Sequence, residues 1–227
     1  MASSAIGDER LIILVGVTAD AEKMACVKAY FEQHFEGVTI LPKMPQRRGI
    51  QHCANWLVNF LRRERLLADM SKIHFLNYIS GGHVFRLAAQ EIGKSRIGRV
   101  VYVRGPIQEM VPRALIRRYT WPLIRLTQGK MVTDLAGRHL DSLPSYPMGQ
   151  AAGLIIETGT SELASSLGLN PASVPEAAWN PEALLPGATD VLRIPESHDQ
   201  VYGTEAVLGA ILSFIRTACF CSRRDEG

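Results

Sequence analysis

The residues able to do chemistry are few, and one stretch gathers most of them. Residues 72–86 read K-I-H-F-L-N-Y-I-S-G-G-H-V-F-R. Ile73, Phe75 and Leu76 form a short apolar run, Gly81-Gly82 a tight pair, and Val84, Phe85, Ala88 and Ile92 fall at helical spacing. That pattern predicts a strand, a sharp turn and a helix. Such a turn can hold one side chain at the top of a parallel sheet, and Ile79 and Ser80 sit there. The plainer reading of Ser80 is a turn residue that hydrogen-bonds locally. Far away in sequence, His198 follows a short apolar run, and Glu157, Glu162 and Asp199 supply carboxylates. Acyl-transfer chemistry needs a nucleophile, a base, a carboxylate that orients the base, and backbone N–H donors for the oxyanion.

The elements that must position these groups can be read along the chain. Residues 11–15, L-I-I-L-V, form a continuous apolar run ending at Gly16, which predicts a strand buried on both faces. Thr18 or Asp20 can cap the next segment, where Met24, Val27, Phe31 and Phe35 make one helical face. A second strand is predicted over 38–41, and a helix over 51–69 from Leu57, Val58, Leu61 and Leu66. Residues 99–103, R-V-V-Y-V, are another buried strand, ended by Arg104-Gly105-Pro106. A helix over 111–119 carries Pro112 in its first turn. From 121 to 147 the prolines and glycines predict loops and short helical turns. Strands follow over 152–156, reaching Glu157, and over 191–194. A closing helix spans about 204–220. Strands alternating with helices imply a mostly parallel sheet, with functional groups at the carboxyl ends of its strands.

Totals narrow the classes. A chain of 227 residues suits one domain over 11–220, with a polar N-terminal segment (1–10) and a polar tail (221–227). With 47% hydrophobic and 21% charged residues, the composition is that of an ordinary globular protein. A formal charge of +3 is too small to argue for nucleic acid, and Arg47-Arg48, Arg62-Arg63, Arg65 and Arg117-Arg118 read as solvated faces. Cys26 and Cys53 lie in helical patterns as small thiols, and free thiols suit an intracellular, cytoplasmic setting. Cys219-Phe220-Cys221 lacks a second Cys/His pair, so no metal site and no cofactor is expected there; acylation of that pair is the weak route to a peripheral membrane contact. The longest apolar run, 11–17, is too short to span a bilayer, and the start lacks a secretory signal.

In order and spacing these segments resemble the lipase and acyltransferase branch of the α/β-hydrolase superfamily over nearly the whole chain. I-I-L-V-G resembles the strand leading into that family's His-Gly oxyanion loop. I-H-F-L-N-Y-I-S-G-G-H-V-F-R resembles its nucleophile elbow, V-V-Y-V-R-G-P-I-Q-E the next strand and turn. L-P-G-A-T-D-V-L-R-I-P-E-S-H-D resembles the segment bearing the catalytic histidine, and F-I-R-T-A-C-F the closing helix. The resemblance implies a three-layer α/β fold with a six-stranded sheet, helices on both faces and no large lid. It implies His198 as base.

The same resemblance exposes departures. Laid on the family's Ser-x-Gly-Gly pattern, the nucleophile position is Ile79, with Ser80 one residue late. An elbow shifted to Ser80 would put Tyr78 where a small residue is needed. The family's Asn-Asp-Gly carboxylate is replaced by Asn170-Pro171-Ala172, leaving Glu157 or Glu162 as substitutes; Asp199, adjacent to His198, points away in an extended chain. Gly16-Val17 replaces the His-Gly of the oxyanion loop. Three readings compete. The first is a non-catalytic protein (a pseudoenzyme with a degenerate triad) that binds a protein partner, a second copy of itself, or an apolar or acyl ligand. Its pocket would be lined by Val17, Tyr78, Ile79 and Ile107, beside Gly16 and Gly81. The second is a serine esterase, lipase or acyltransferase using Ser80 and His198 with Glu157 or Glu162. The third is a His198-dependent, non-hydrolytic enzyme.

Overall fold

The computed structural model describes residues 9–17, 20–68 and 71–220, with residues 138 and 139 described by backbone alone. Expectations placed on residues 1–8, Thr18, Asp69 and Cys221 with its tail lie outside the described residues.

Six strands, β1 (Arg10–Leu14), β2 (Val38–Ile40), β3 (Ile73–Tyr78), β4 (Ile97–Arg104), β5 (Ala151–Glu157) and β6 (Asp190–Ile194), form one sheet in the order β2-β1-β3-β4-β5-β6. Every pairing is parallel. The chain steps from β1 to β2 on one side and returns to place β3 on the other. The order therefore reverses between β1 and β3, where parallel sheets open a crevice at their carboxyl ends.

Side chains alternate across the sheet, and that alternation makes two cores. Ile12, Leu14, Phe75, Val100, Tyr102 and Leu154 face one way, onto α2 (Ile50–Arg63) and α3 (Ile79–Ile92). Leu11, Ile13, Leu76, Val101, Val103 and Ile155 face the other, onto α1 (Ala21–His34) and α9 (Glu205–Thr217). All residues of β3 and β5 are buried. This double coverage is why the strands read as unbroken apolar runs. The three-layer arrangement expected from the sequence is present.

Between β4 and β5 the chain builds α4 (Pro106–Arg118), α5 (Trp121–Gln128) and α6 (Lys130–Ala136). Beyond β5 come the short α7 (Glu162–Ser166) and α8 (Pro181–Leu184). Two local expectations are corrected. Gly81-Gly82 do not form a turn: they sit in the first turn of α3, which starts directly at Ile79. Pro112 lies inside α4, not at its start, because Pro106 opens the helix five residues earlier than the periodicity suggested. Asp20 caps α1, accepting from the Glu22 and Lys23 N–H groups at 2.8 and 3.1 Å.

Candidate active site

Register brings the first pair together. Glu157, the last residue of β5, lies opposite Ile194, the last of β6. Beyond the strands, Thr158 N donates to Ile194 O at 2.9 Å and Gly159 N to Glu196 O at 3.3 Å, holding the two chain ends side by side. A Cβ on Gly159 would lie 2.5 Å from Pro195 O, so only glycine permits this approach. A helical turn begins at Ser197, whose carbonyl accepts from Val201 N at 3.0 Å. His198 is thereby aimed at Glu157. Its Nδ1 lies 3.1 and 3.2 Å from the two oxygens of the fully buried Glu157 carboxylate. Gly105 makes room on the far side, because a Cβ there would stand 2.6 Å from Glu157 Oε2.

A carboxylate accepts only, so Nδ1 carries a proton, and in the neutral imidazole Nε2 is the acceptor. In a serine hydrolase that nitrogen meets the nucleophile. Here it meets the Tyr202 hydroxyl at 3.1 Å. Burial, with Tyr78 and Glu157 nearby, pushes the Tyr202 phenol well above its ordinary value, so it stays protonated and donates to Nε2. The same oxygen accepts from the Gly16 backbone N–H. Glu157, His198, Tyr202 and Gly16 thus form one continuous hydrogen-bonded chain. Space at Gly16 is tight, since a Cβ would lie 3.1 Å from Tyr202 Oη and 3.4 Å from His198 Nε2. Gln46 Nε2 fixes the same loop through the Gly16 and Val15 carbonyls at 3.1 and 3.3 Å.

The elbow contributes no bond to this chain. Ile79 is the first residue of α3, with Tyr78 at the cap, so the tip of the strand-to-helix turn is aliphatic. Ser80 is 1% exposed, and its Oγ donates to Val15 O at 3.4 Å. Gly81 lets α3 cross the end of β1: a Cβ would sit 2.2 Å from Leu14 O.

Two cavities flank Ile79, which lines both. One of about 70 Å³ is bordered by Gly16, Val17, Ser80, Gln108 and His198. The other, about 830 Å³, is bordered by His83, Arg86, Arg104, Met110, Leu140 and Tyr146. A drug-sized ligand takes about 300–1,000 Å³, which the second provides and the first does not. Its polar wall is firmly built. Arg104 forks onto Glu109 at 2.7 and 2.9 Å, and Arg86 donates to Pro144 O at 2.6 Å and Leu143 O at 3.0 Å. Both guanidinium groups lie over the Tyr146 ring, at 4.3 and 4.7 Å from its centroid.

Of the residues expected to line a pocket, Val17 and Ile79 do. Tyr78 and Ile107 line neither of these two cavities. As the last residue of β3, Tyr78 points to the α1/α9 side and packs on the Tyr202 ring, 4.4 Å between centroids. Ile107, in the first turn of α4, is buried with Val111, Ala164 and Val174. Glu162 heads α7, where its N–H donates to Asp199 Oδ2 at 3.3 Å. Asn170 caps a short 3-10 turn. Sequence reasoning missed Tyr202 and Gly105. The spacing of four between His198 and Tyr202 was the available signal, since one helical turn puts such residues on one side. Gly105 showed only as a turn residue. Among the described residues no group of three or more His, Cys, Asp or Glu is placed to hold a metal.

Comparison with solved structures agrees with the fold. The chain aligns over 87% of its length with a metagenomic carboxyl esterase at 18% identity and a TM-score of 0.58, spanning 66% of that chain. It aligns over 85% with the mature lipase of Bacillus licheniformis, at 14% identity and a TM-score of 0.53, spanning 86% of it. A lipase-esterase related protein of Clostridium acetobutylicum matches over 92% at 10% identity and a TM-score of 0.51, with 94% of that chain spanned. No protein-family model matches the chain, and no curated protein matches it in sequence. The sheet, the layers and these likenesses define an α/β-hydrolase fold.

Proposed function

We propose that this protein is a non-hydrolysing α/β-hydrolase-fold protein that binds an apolar or acyl-bearing ligand at the carboxyl edge of its sheet. One observation supports the reading: the outer nitrogen of His198, the expected base, already has a partner. His198 Nε2 is taken by the Tyr202 hydroxyl, and the elbow tip beside it is Ile79. A serine in the Ile79 seat would give the imidazole a proton to take; isoleucine gives none. The Tyr202 oxygen also takes up the Gly16 N–H, a donor of the loop expected to serve an oxyanion. What remains usable is space, and the 830 Å³ cavity supplies it with apolar walls from Met110, Leu135, Leu140 and Met148.

A second reading, a serine esterase using Ser80, draws support from one fact: Ser80 and His198 border the same small cavity. It requires Ser80 Oγ to leave Val15 O and displace Tyr202 from the imidazole. The two readings separate in one experiment. Purified protein is titrated with a fluorescent fatty acid and assayed in parallel on p-nitrophenyl esters. The binding reading expects saturable fluorescence, weakened by Met110→Trp, which fills the large cavity, with ester turnover at background. Turnover abolished by Ser80→Ala, or no ligand uptake, contradicts it.

A further inference from the structure

We propose that the face built on α5 docks the protein onto an anionic lipid surface. Seven of the eight residues of α5 are exposed, Ile124 alone being buried. The helix therefore stands out from the domain and does not cover its core. What it presents is apolar: Leu126 is 74% exposed, Leu123 47%, Trp121 44%, with Tyr119 at 43% just before it. Large apolar side chains scattered singly need no explanation, but four within eight positions of one projecting element do. Tyr and Trp, apolar in body and polar at the tip, suit the boundary between water and lipid.

The charges that flank them in sequence are of one sign. From Met110 to Thr133 the chain holds Arg113, Arg117, Arg118, Arg125 and Lys130 and no acidic residue. Lys130 is paired with Asp134 at 2.6 Å, but the four arginines are exposed. Two more join them in space. Arg47 donates to Leu126 O at 2.8 Å and Thr127 O at 3.1 Å, capping the end of α5, and Arg48 borders the same hollow as Arg125 and Leu126. Arg47, Arg48 and Arg125 thus border the apolar projection, with Arg113, Arg117 and Arg118 on the helix before it, in a chain whose formal charge is only +3, so the rest of the chain is net acidic. A molecule polarised in this way orients in the field of a negative surface. Apolar groups that protrude, with exposed arginines beside them, match a deformable layer of anionic headgroups over hydrocarbon. Arg113 also borders the large cavity and Gln128 the small one, so the docked face lies beside both mouths. The inference does not depend on whether the site hydrolyses anything.

The test is co-sedimentation of the full chain with vesicles of phosphatidylcholine alone and of phosphatidylcholine mixed with phosphatidylserine. Partition onto the mixed vesicles alone is expected, falling at high salt as the charges are screened. Leu123→Glu with Leu126→Glu should abolish it. Arg117→Gln, Arg118→Gln and Arg125→Gln should each weaken it about fivefold. All five side chains are exposed, so unchanged thermal melts show that the variants fold. The proposal is overturned by failure to partition, by equal partition onto both vesicles, or by partition that the variants leave intact. A dimer in solution that Leu126→Glu dissociates also overturns it, and assigns the face to a second copy of this chain.

Discussion

At the scale of single residues, the site turns on which hydroxyl meets His198. Tyr202 does so from four residues away, and its oxygen is bound twice, by the imidazole and by the Gly16 N–H. Tyr202→Phe removes both bonds and leaves buried polar groups unpaired, which costs about 1–3 kcal/mol. A lowered unfolding midpoint in denaturant is the expected outcome, with no gain of ester hydrolysis, since freeing a base supplies no nucleophile. Adding Ile79→Ser to Tyr202→Phe supplies one. The double variant is expected to acquire stoichiometric labelling by a fluorophosphonate at position 79, read by peptide mass spectrometry. Labelling of Tyr202→Phe alone would mean that Ser80 reaches the imidazole after all.

At the scale of elements, α3 and its glycine pair position everything around the tip. The two glycines look alike in sequence and differ in space. A Cβ at Gly81 collides with Leu14 backbone atoms at 2.2 and 2.7 Å, whereas at Gly82 the nearest atom is Tyr102 Cδ1 at 3.5 Å. Gly81→Ala must push α3 off β1 and is expected to destabilise the fold by about 1–3 kcal/mol or more. Gly82→Ala adds a better helix former in ordinary contact and is expected to be neutral or to stabilise by up to about 1 kcal/mol. Chemical denaturation of the two variants checks the contrast, and equal effects would refute the assigned packing. This pair also shows the limit of reading the chain alone. The strands were legible because burial on both faces writes itself as apolar runs, as in Leu11-Ile12-Ile13-Leu14. Ile79 at the tip was legible from the glycines after it. The roles of Tyr202, Gly105 and Gly16 were not, because each depends on an approach between segments that no local pattern encodes. Tyr78 misled for a related reason: its neighbour on the helix side faces the cavities, while strand alternation turns Tyr78 away.

Across the whole molecule, the cavities, the polar network and the basic face all lie at or near the carboxyl edge, while the opposite edge carries a pH liability. His74, in β3, is buried, accepts from Arg99 N at 3.0 Å and lies 3.2 Å from Glu9. Burial lowers its pKa from the ordinary 6.5 despite the raising influence of Glu9. Between the folded and unfolded values the unfolded chain binds more protons, so stability is full above about 6.5 and declines as pH falls below it. Denaturation midpoints measured from neutral pH downwards should show this decline, and His74→Gln should flatten it. An undiminished slope in that variant would assign the decline to other groups. None of the described helices is long and apolar enough to cross a membrane.

The central claim, a hydrolase fold whose base is kept and whose nucleophile seat is filled by Ile79, is tested most directly by intact-protein mass spectrometry after exposure to a fluorophosphonate. The account expects the mass of the natural chain to stay unchanged under conditions that label an active serine esterase to completion. A single adduct on the natural chain, mapped to Ser80 and lost in Ser80→Ala, would contradict it.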